Sequence, residues 1–403
     1  MTVEIRTITD DEVTAFRNAM VTTFGDDTDS DPGGADRFRA IIDRSQAWAA
    51  VDGGTIVATA GTYDLGLGIP GYATIRMAGL TMVSVRPTHR RRGILRQLMQ
   101  HHLDDARARS YPISGLWASE STIYGRFGYG IAAEGDAYDL EDTNSLVIAG
   151  GRELDDVEWI DEPRAREVLP ALYARATAER PGVLRRSDVW WRERRFLEAP
   201  FVREGMSKRR YVIARRGPDA VGYVVYRQLG AFAGGRPSGK VSIIELVGAD
   251  TRAEATLWRF ALGMDLFPTV SWWNAPVDGV LPYLISDLRR LKRRRTDTLW
   301  LRIEDVAATL TARRYAADGA LRFGLDDGTA WDLVVEEGRA RCTTTTRAPD
   351  LRLDRQTLAA LFLGGALATR LARAELVAGD VAAIASADRL FAWGVAPWCP
   401  EVF

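Results

Sequence analysis

The chain has 403 residues, more than one hydrophobic core usually serves, so we expect two or three domains. Its 53 Lys and Arg residues balance 54 Asp and Glu residues, which argues against a nucleic-acid-binding protein and predicts that any anion site is local. The chain has only two cysteines, which lack CxxC spacing, so the composition excludes a disulfide scaffold and argues against a structural zinc site. Its three histidines all fall within residues 89–102, which argues against histidine-based catalytic triads.

The N-terminal segment lacks the apolar run of a signal peptide or a membrane helix, so we expect a cytoplasmic protein with no membrane partner. From residue 51 the sequence predicts an antiparallel meander, with strands "TIVATAGTYDLGLG" and "ATIRMAGLTMVSV" joined by a turn at "IPGY". A helix is predicted after Gly93, because apolar residues recur on one side of it: Ile94, Leu95, Leu98, Met99 and Leu103. A strand "ISGLWASE" and a glycine-broken turn "STIYGRFGYG" complete a unit that ends near residue 150.

A glycine pair at residues 150–151 marks a domain boundary, after which we expect a helix over "EPRAREVLPALYARATAER" and a hairpin across Gly217 and Pro218. The stretch "VSIIELVGADTRAEATLWRFAL" then repeats the strand, polar loop and amphipathic helix of residues 79–99, which predicts a degenerate internal repeat. Its loop at residues 252–255 lacks the glycine and places Glu254 near the corresponding anion position. We therefore expect the second copy to bind no phosphate.

The basic run "LRRLKRRRTD" at residues 288–297 is either a nucleic-acid patch or a solvated linker, and we favour a linker that divides the second region from a third. From Leu299 onward the sequence predicts a compact α+β layout. Its candidate strands lie around "DDGTAWDLVVEEGRARCTTTT", its helices follow from "LDRQTLAALFLGGALATRLARAELV", and it ends at "WGVAPWCPEVF".

The stretch "VRPTHRRRGILRQLM", residues 85–99, places three arginines and a glycine at the predicted start of a helix. Backbone N–H groups at a helix start have no partner within the helix and lie at its partially positive end, so they suit a phosphate group. Arginines add charge-assisted hydrogen bonds, and Gly93 allows close approach of the backbone. The pattern therefore fits a diphosphate, although an arginine-rich surface turn is the alternative. The sequence contains no P-loop, and its one G-x-G-x-x-G spacing, at residues 66–71, runs into the predicted turn "IPGY" rather than into a helix, as a dinucleotide-binding motif would. Both points argue against nucleoside triphosphates and dinucleotides.

This stretch resembles the acetyl-coenzyme A loop of the GNAT (Gcn5-related N-acetyltransferase) superfamily, with R/Q-x-x-G-x-G/A occupied by Arg90 to Leu95 and departing from the pattern at Leu95. Together with "ASESTIYGRFGYG" and the terminal "EVF", it resembles the Eis (enhanced intracellular survival) family of actinobacterial acetyltransferases. The resemblance spans essentially the whole chain and is strongest over residues 77–130. It implies a mixed α/β fold assembled as a homohexamer. The implied domains are a GNAT domain at 1–150, a degenerate GNAT-like domain without cofactor at 151–290, and a sterol-carrier-like α+β domain at 291–403.

The resemblance also implies acetyl-CoA as cofactor, with CoA as product, and assigns residues to its parts. The backbone of Met82, Val83 and Val85 would contact the pantetheine arm. Ser119 and Ile123 would line the thioester end. The pyrophosphate would be held by Arg90, Arg91, Arg92, Gly93, Ile94 and Leu95. No metal is expected.

The acceptor pocket implied by the resemblance is acidic and aromatic, formed by Phe24, Asp26, Asp27, Phe38, Trp117 and Glu401. Tyr124 would give a proton to the departing thiolate, and the alternative is that it packs as an aromatic beside Phe127 and Tyr129. No histidine is expected nearby, and the implied base is the C-terminal carboxylate of Phe403. The alternative is that "PWCPEVF" docks only as a packed tail.

Acidic groups around a pocket attract polyamines, and the family implies aminoglycosides as the acceptors, acetylated at one or more amines. Lysine side chains of a protein or peptide are the second candidate. Two other classes are left: lipid carriage by the third domain, and nucleic-acid regulation, which the near-neutral charge disfavours.

Overall fold

The computed structural model describes residues 3–143, 146–148 and 153–403. The boundary predicted at residues 150–151 lies outside this described part. The described residues form two compact units, the first with residues 3–133, 181–195 and 297–403 and the second with those of 134–180 and 196–296. Among the described residues, no helix is both long enough and apolar enough to span a bilayer.

The strands follow in chain order. They are β1 (Glu4–Thr7), β2 (Ala47–Asp52), β3 (Thr55–Ile69), β4 (Ala73–Val85), β5 (Ile113–Trp117), β6 (Gly130–Glu141), β7 (Asp156–Ile160), β8 (Arg210–Arg216), β9 (Asp219–Leu229), β10 (Phe232–Ala233), β11 (Arg236–Pro237), β12 (Lys240–Gly248), β13 (Thr269–Pro276), β14 (Leu291–Ile303), β15 (Gly319–Gly324), β16 (Ala330–Glu336), β17 (Arg339–Thr344), β18 (Leu351–Leu353) and β19 (Val377–Gly379).

The helices are α1 (Val13–Phe24), α2 (Gly34–Ile41), α3 (Ile94–Ala108), α4 (Ser121–Tyr124), α5 (Glu162–Ala176), α6 (Asp188–Trp190), α7 (Thr251–Leu262), α8 (Leu281–Leu284), α9 (Val306–Ala312), α10 (Arg355–Phe362), α11 (Ala368–Arg373) and α12 (Val381–Phe391). A π-helical turn, Trp191–Arg195, follows α6 directly.

The first unit is built on strands in the order β1-β2-β3-β4-β5-β14. The predicted meander is confirmed, because β3 and β4 pair antiparallel around a turn in which Gly71 and Tyr72 have φ of 96° and 61°. The predicted helix is confirmed as α3. Its apolar side is buried at four positions, Ile94, Leu98, Met99 and Leu103.

The third predicted region has the expected α+β layout, with strands in the order β17-β16-β15-β18-β19 and helices α10 to α12. Alternate positions of its strands point inward, as the period of a half-buried strand requires. The core that the strands share with these helices includes Leu321, Phe323, Leu333, Phe362 and Phe391.

The second unit contains strands in the order β6-β13-β12-β9-β8-β7. The predicted helix is α5, which Asp161 caps by accepting from the Arg164 N–H at 3.0 Å, and the predicted hairpin is β8 with β9. The strand β12 and helix α7 repeat the order of β4 and α3, so the internal repeat is confirmed as a succession of elements.

The expectation of a linker at residues 288–297 is wrong, because Leu291 begins the long strand β14. Residues 292–296 of this strand are exposed, so the charged side chains on both of its faces conceal the alternation that identifies a half-buried strand. Two of these cations have carboxylate partners in the second unit. Arg295 donates to Asp136 at 3.0 and 3.2 Å, and Lys292 donates to Glu141 at 2.6 Å.

Candidate active site

A groove of about 1160 Å³ opens in the first unit beside the end of β4 and the start of α3. Tyr124 and Phe24 line it. So do most of the residues predicted to hold the coenzyme, namely Val83, Val85, Arg90, Arg91, Gly93, Ile94, Leu95, Ser119 and Ile123. The structure therefore brings the predicted loop and the predicted acid to one cavity.

The start of α3 leaves its backbone N–H groups without a side-chain partner. Gly93 is the N-cap with φ of 79°, makes no side-chain cap, and is followed by no acidic residue in the first turn. A Cβ placed on Gly93 would meet nothing within 4 Å, so its space is open and only its backbone conformation favours glycine. Such a helix start can accept a phosphate at close range.

The arginines beside Gly93 divide into two roles. Arg90 and Arg91 are exposed and line the groove, and Arg91 itself has φ of 63°. Arg92 instead donates to the Thr88 carbonyl at 3.1 Å and so stabilises its own turn. The loop therefore presents two predicted cations to the groove, and the third holds its shape.

The corresponding helix start in the second unit is closed. Asp250 caps α7 by accepting from the Ala253 N–H at 2.9 Å, and Arg216 donates to the same carboxylate at 2.9 Å. Burial raises the pKa of the nearby Glu254 carboxyl to about 7. The expectation of a loop at residues 252–255 is wrong, because these residues lie in the first turns of α7, and the carboxylate at the helix start is that of Asp250 rather than Glu254. Asp250 thus occupies the place where an anion would meet the helix, and the absence of phosphate binding at this copy stays a prediction.

The end of β4 departs from regular strand geometry. The strand pairs in parallel with β5 only from Met77 to Gly79, and its register against β3 shifts between Thr59 and Gly61. Met82, which does not line the groove, has φ of 54°, and its carbonyl accepts from Thr59 Oγ1 at 2.6 Å. Beyond Gly79, the backbone N–H and C=O groups of β4 that face β5 do not pair with it. They can therefore form strand-like hydrogen bonds with a bound ligand.

Tyr124 ends the short helix α4 with its side chain 5% exposed. Burial, followed by the charge of Glu120, raises the pKa of its phenol to about 12. Its ring packs edge-on against Tyr129 with centroids 6.2 Å apart. The phenol is therefore neutral at physiological pH and is available as a proton donor.

Two histidines have fixed environments near this region. His102 is fully buried, with Nδ1 2.7 Å from Thr62 Oγ1 and Nε2 3.1 Å from the Tyr129 hydroxyl, and burial lowers its pKa to about 3. His89 lines the groove beside Arg90, with Nε2 3.2 Å from Asp52. His89 belongs to the predicted loop itself, so its place at this end of the groove does not bear on the expectation that no histidine serves as the base.

Sequence reasoning missed three charged residues that line the groove, namely Arg96, Glu120 and Arg126. All of them lie inside the two quoted stretches, residues 85–99 and 118–130, so their place on α3 or beside α4 could have revealed them. The two arginines add to the positive character of the groove, where Glu120 is a nearby negative group.

The residues predicted to bind the acceptor lie in different environments. Phe24 is 53% exposed at the end of α1, and Asp26 and Asp27 are exposed in the loop that follows. Trp117 is half-buried at the end of β5. Phe38 is buried against Phe16, with ring centroids 5.4 Å apart, so its side chain belongs to the core and does not line the groove.

The chain terminus lies on the other face of β4 from Tyr124. A Cβ placed on Gly79 would lie 3.3 Å from Phe403 Cε2, whereas the next residue, Leu80, packs in one cluster with Tyr124. Successive residues of a strand face opposite sides of the sheet. The point where β4 and β5 part thus has the buried phenol on one face and the buried Phe403 ring on the other.

Glu401 is buried and bound to residues 181–195, a segment that sequence reasoning did not connect with the terminus. Its carboxylate forms an ion pair with Arg186, accepts from Trp190 Nε1 at 3.1 Å, and lies 3.7 Å from Arg195. Glu401 does not line the groove described above.

Comparison with protein families matches three parts of the chain. Residues 4–132 and residues 182–303 each match an acetyltransferase (GNAT) domain, and residues 291–400 match a sterol carrier protein domain.

Several whole proteins are similar to this chain. An uncharacterized N-acetyltransferase of Streptomyces coelicolor is 35% identical, with 100% of both chains covered. The N-acetyltransferase Eis of Mycobacterium bovis is 33% identical over 85% of this chain and 86% of its own. The crystal structure of Eis1 from Mycobacterium abscessus superimposes with a TM-score of 0.84 at 28% identity, covering 100% of each chain.

Proposed function

The chain belongs to the Eis family of GNAT acetyltransferases, and on this basis we propose that it transfers the acetyl group of acetyl-CoA to amines of a polycationic acceptor, with aminoglycosides as the substrate class. The chain is an N-acetyltransferase with two GNAT domains and a sterol carrier protein domain, as the sequence predicts. The observation that carries the proposal is one groove that holds both the open start of α3 and the buried Tyr124 phenol.

The residues of the groove fit a coenzyme with a diphosphate. The uncapped N–H groups after Gly93, with Arg90 and Arg91 beside them, would hold the pyrophosphate oxygens. The open backbone around Val83 and Val85 would pair with the amides of a pantetheine arm, and Ser119 and Ile123 would line the end near Tyr124. When bound, acetyl-CoA supplies the activated acetyl group.

The transfer requires one proton to be delivered and one to be removed. Tyr124 would donate its phenolic proton to the sulfur that leaves when the acceptor amine takes the acetyl group, so that CoA departs as the thiol. A phenol with a pKa of about 12 donates uphill to a thiolate whose acid has a pKa near 8.5, by roughly 5 kcal/mol. A transfer that is concerted with departure of the sulfur would avoid this cost.

The proton lost by the amine passes through water to the C-terminal carboxylate of Phe403. Support comes from the buried Phe403 ring at Gly79, where β4 and β5 part. Extending the chain by a few residues should abolish transfer if the carboxylate is the base. Unchanged transfer would leave the tail a packing element only.

A polycationic acceptor is attracted by carboxylates that are not already neutralised. Asp26 and Asp27 are exposed beside Phe24, which lines the groove, so they supply this attraction. The charge of Glu401 is offset by Arg186 and Arg195 and contributes little to it. The acceptor would therefore meet its carboxylates at the loop that follows α1.

Free-thiol release with acetyl-CoA tests the proposal directly. We compare a multi-amine aminoglycoside, a lysine-rich peptide and no acceptor, in wild type and in Tyr124→Phe. Aminoglycoside-dependent release that falls at least about tenfold in the variant, with coenzyme affinity unchanged, is the expected result. Release only with the peptide would assign the enzyme to lysine acetylation, and equal release by the variant would remove Tyr124 from the mechanism.

The domain bounds 1–150, 151–290 and 291–403, the homohexamer and the cytoplasmic location are part of the same proposal and rest on the family. Light scattering checks the assembly, and a monomeric mass would contradict the hexamer.

A further inference from the structure

The chain terminus is held by the short segment Pro181–Arg195, which belongs to the first unit although the residues on both sides of it in the sequence belong to the second. The contacts begin at Trp398, whose N–H donates to the Pro181 carbonyl at 2.9 Å. A Cβ on Gly182 would lie 3.0 Å from Trp398 backbone atoms, so the two stretches touch through their main chains.

The same segment binds the last residues through side chains. Glu401 is 2% exposed and meets Arg186, whose side chain is 0% exposed, together with Trp190 and Arg195. Arg194, from the π-helical turn, donates to the Val402 carbonyl at 2.6 Å. Three arginines and a tryptophan thus hold two consecutive residues immediately before Phe403.

Burying a carboxylate and its arginine removes both from water, and replacing such a pair with apolar residues often costs no stability. A buried ion pair is therefore weak evidence for stabilisation, which leaves the position that it fixes as the role to test. Here the residue whose position is fixed is Phe403, whose ring reaches Gly79 at the parting of β4 and β5.

We infer that Glu401 is a positioning residue rather than an acceptor-binding one, and that Arg186, Arg194, Arg195 and Trp190 clamp the terminus so that the Phe403 carboxylate is held at the reacting amine. The inference rests on the proposed role of Phe403 as base. It predicts that loosening the clamp lowers turnover and leaves acceptor affinity alone, because Glu401 is 2% exposed and its charge is already paired with arginines.

The test compares Glu401→Gln and Arg194→Ala with Arg192→Ala. Arg192 is the matched control, since it lies in the same π-helical turn, is exposed, and pairs only with the adjacent Glu193, at 2.6 Å, among its described contacts. Arg194→Ala removes a half-exposed side chain and so tests the clamp even if Glu401→Gln fails to fold.

Two readouts are taken. Hydrogen exchange of the C-terminal peptide should speed up in both clamp variants and not in Arg192→Ala. The kcat should fall about tenfold or more in both clamp variants, with the acceptor KM within about twofold of wild type, since small displacements of a catalytic group cost rate rather than binding.

A raised acceptor KM with unchanged kcat in Glu401→Gln would make Glu401 an acceptor ligand and overturn the inference. Unchanged exchange of the tail in Arg194→Ala would overturn it as well. If wild type transfers to no amine, the proposed function fails by itself, and the exchange measurement still decides whether the segment holds the tail.

Discussion

Tyr124 is defined chemically by its burial. Because the desolvated phenolate is disfavoured and Glu120 adds a like charge, the pKa of the phenol rises to about 12. A group with a raised pKa keeps its proton until the pH approaches that value. Tyr124 is thus in its acid form over the whole working range, and its ionisation does not limit the rate there.

The pH profile of kcat tests this assignment. Between about pH 7 and pH 10 we expect ionisation of Tyr124 to cause no fall in kcat, because a phenol with a raised pKa has not begun to ionise. Wild type and Tyr124→Phe should therefore show the same pH dependence of kcat over this range. Stopped assays of wild type and variant over this range provide the check. A wild-type decline centred near pH 10 and absent from the variant would mean that the phenol titrates at its ordinary value.

Residues within a local motif could be predicted from the sequence, and residues that act through distant contacts could not. The positions Arg90, Gly93 and Tyr124 are set by short patterns and by family resemblance. The resemblance places Phe38 in the acceptor pocket, but its burial against Phe16 depends on how α1 and α2 pack. The partners of Glu401 lie about two hundred positions away along the chain, where no sequence pattern connects them to the terminus.

The elements α3 and α7 follow equivalent strands, and their first turns decide what each can bind. Gly93 leaves the start of α3 uncapped, whereas Asp250 caps α7 and brings a negative charge to the same place. A carboxylate at a helix start satisfies the free N–H groups and repels a phosphate.

Transferring that difference to α3 gives a prediction for Gly93→Asp. We expect the dissociation constant for CoA to rise by more than about tenfold, because the new carboxylate occupies the anion position. Gly93→Ala is the control, since its backbone strain at this positive φ, about 1 kcal/mol, is at least as large as that of Asp and it carries no charge. Calorimetric titration measures both, and equal weakening by Ala and Asp would show that backbone conformation, not charge, controls binding.

Most elements could be predicted because their periodicity is local. The meander of β3 and β4, the helix α3 and the hairpin of β8 and β9 all follow from alternation or from a 3.6-residue repeat bounded by turn residues. The strand β14 could not, because its exposed first half carries charges on both faces. Its second half pairs with β5 from Leu299 to Ile303, a partner that only the folded chain supplies.

At the scale of the molecule, the first unit is assembled from three separated stretches of sequence, and the site that we propose draws on all of them. The groove comes from the first stretch, the clamp from residues 181–195 and the tail from the last. Such an arrangement could not be read from composition or periodicity, because both describe neighbours along the chain.

From the difference between the starts of α3 and α7 we predict that each chain binds one molecule of coenzyme. The open start of α3 provides one anion site, and at α7 the Asp250 cap and its ion pair with Arg216 close the equivalent place. Titration of the full-length protein with CoA should therefore saturate at a single equivalent, and Gly93→Asp should remove that equivalent without exposing another. If one equivalent of CoA still binds to Gly93→Asp, α7 binds a phosphate despite the Asp250 cap. The carboxylate at the start of α7 would then not be enough to exclude an anion.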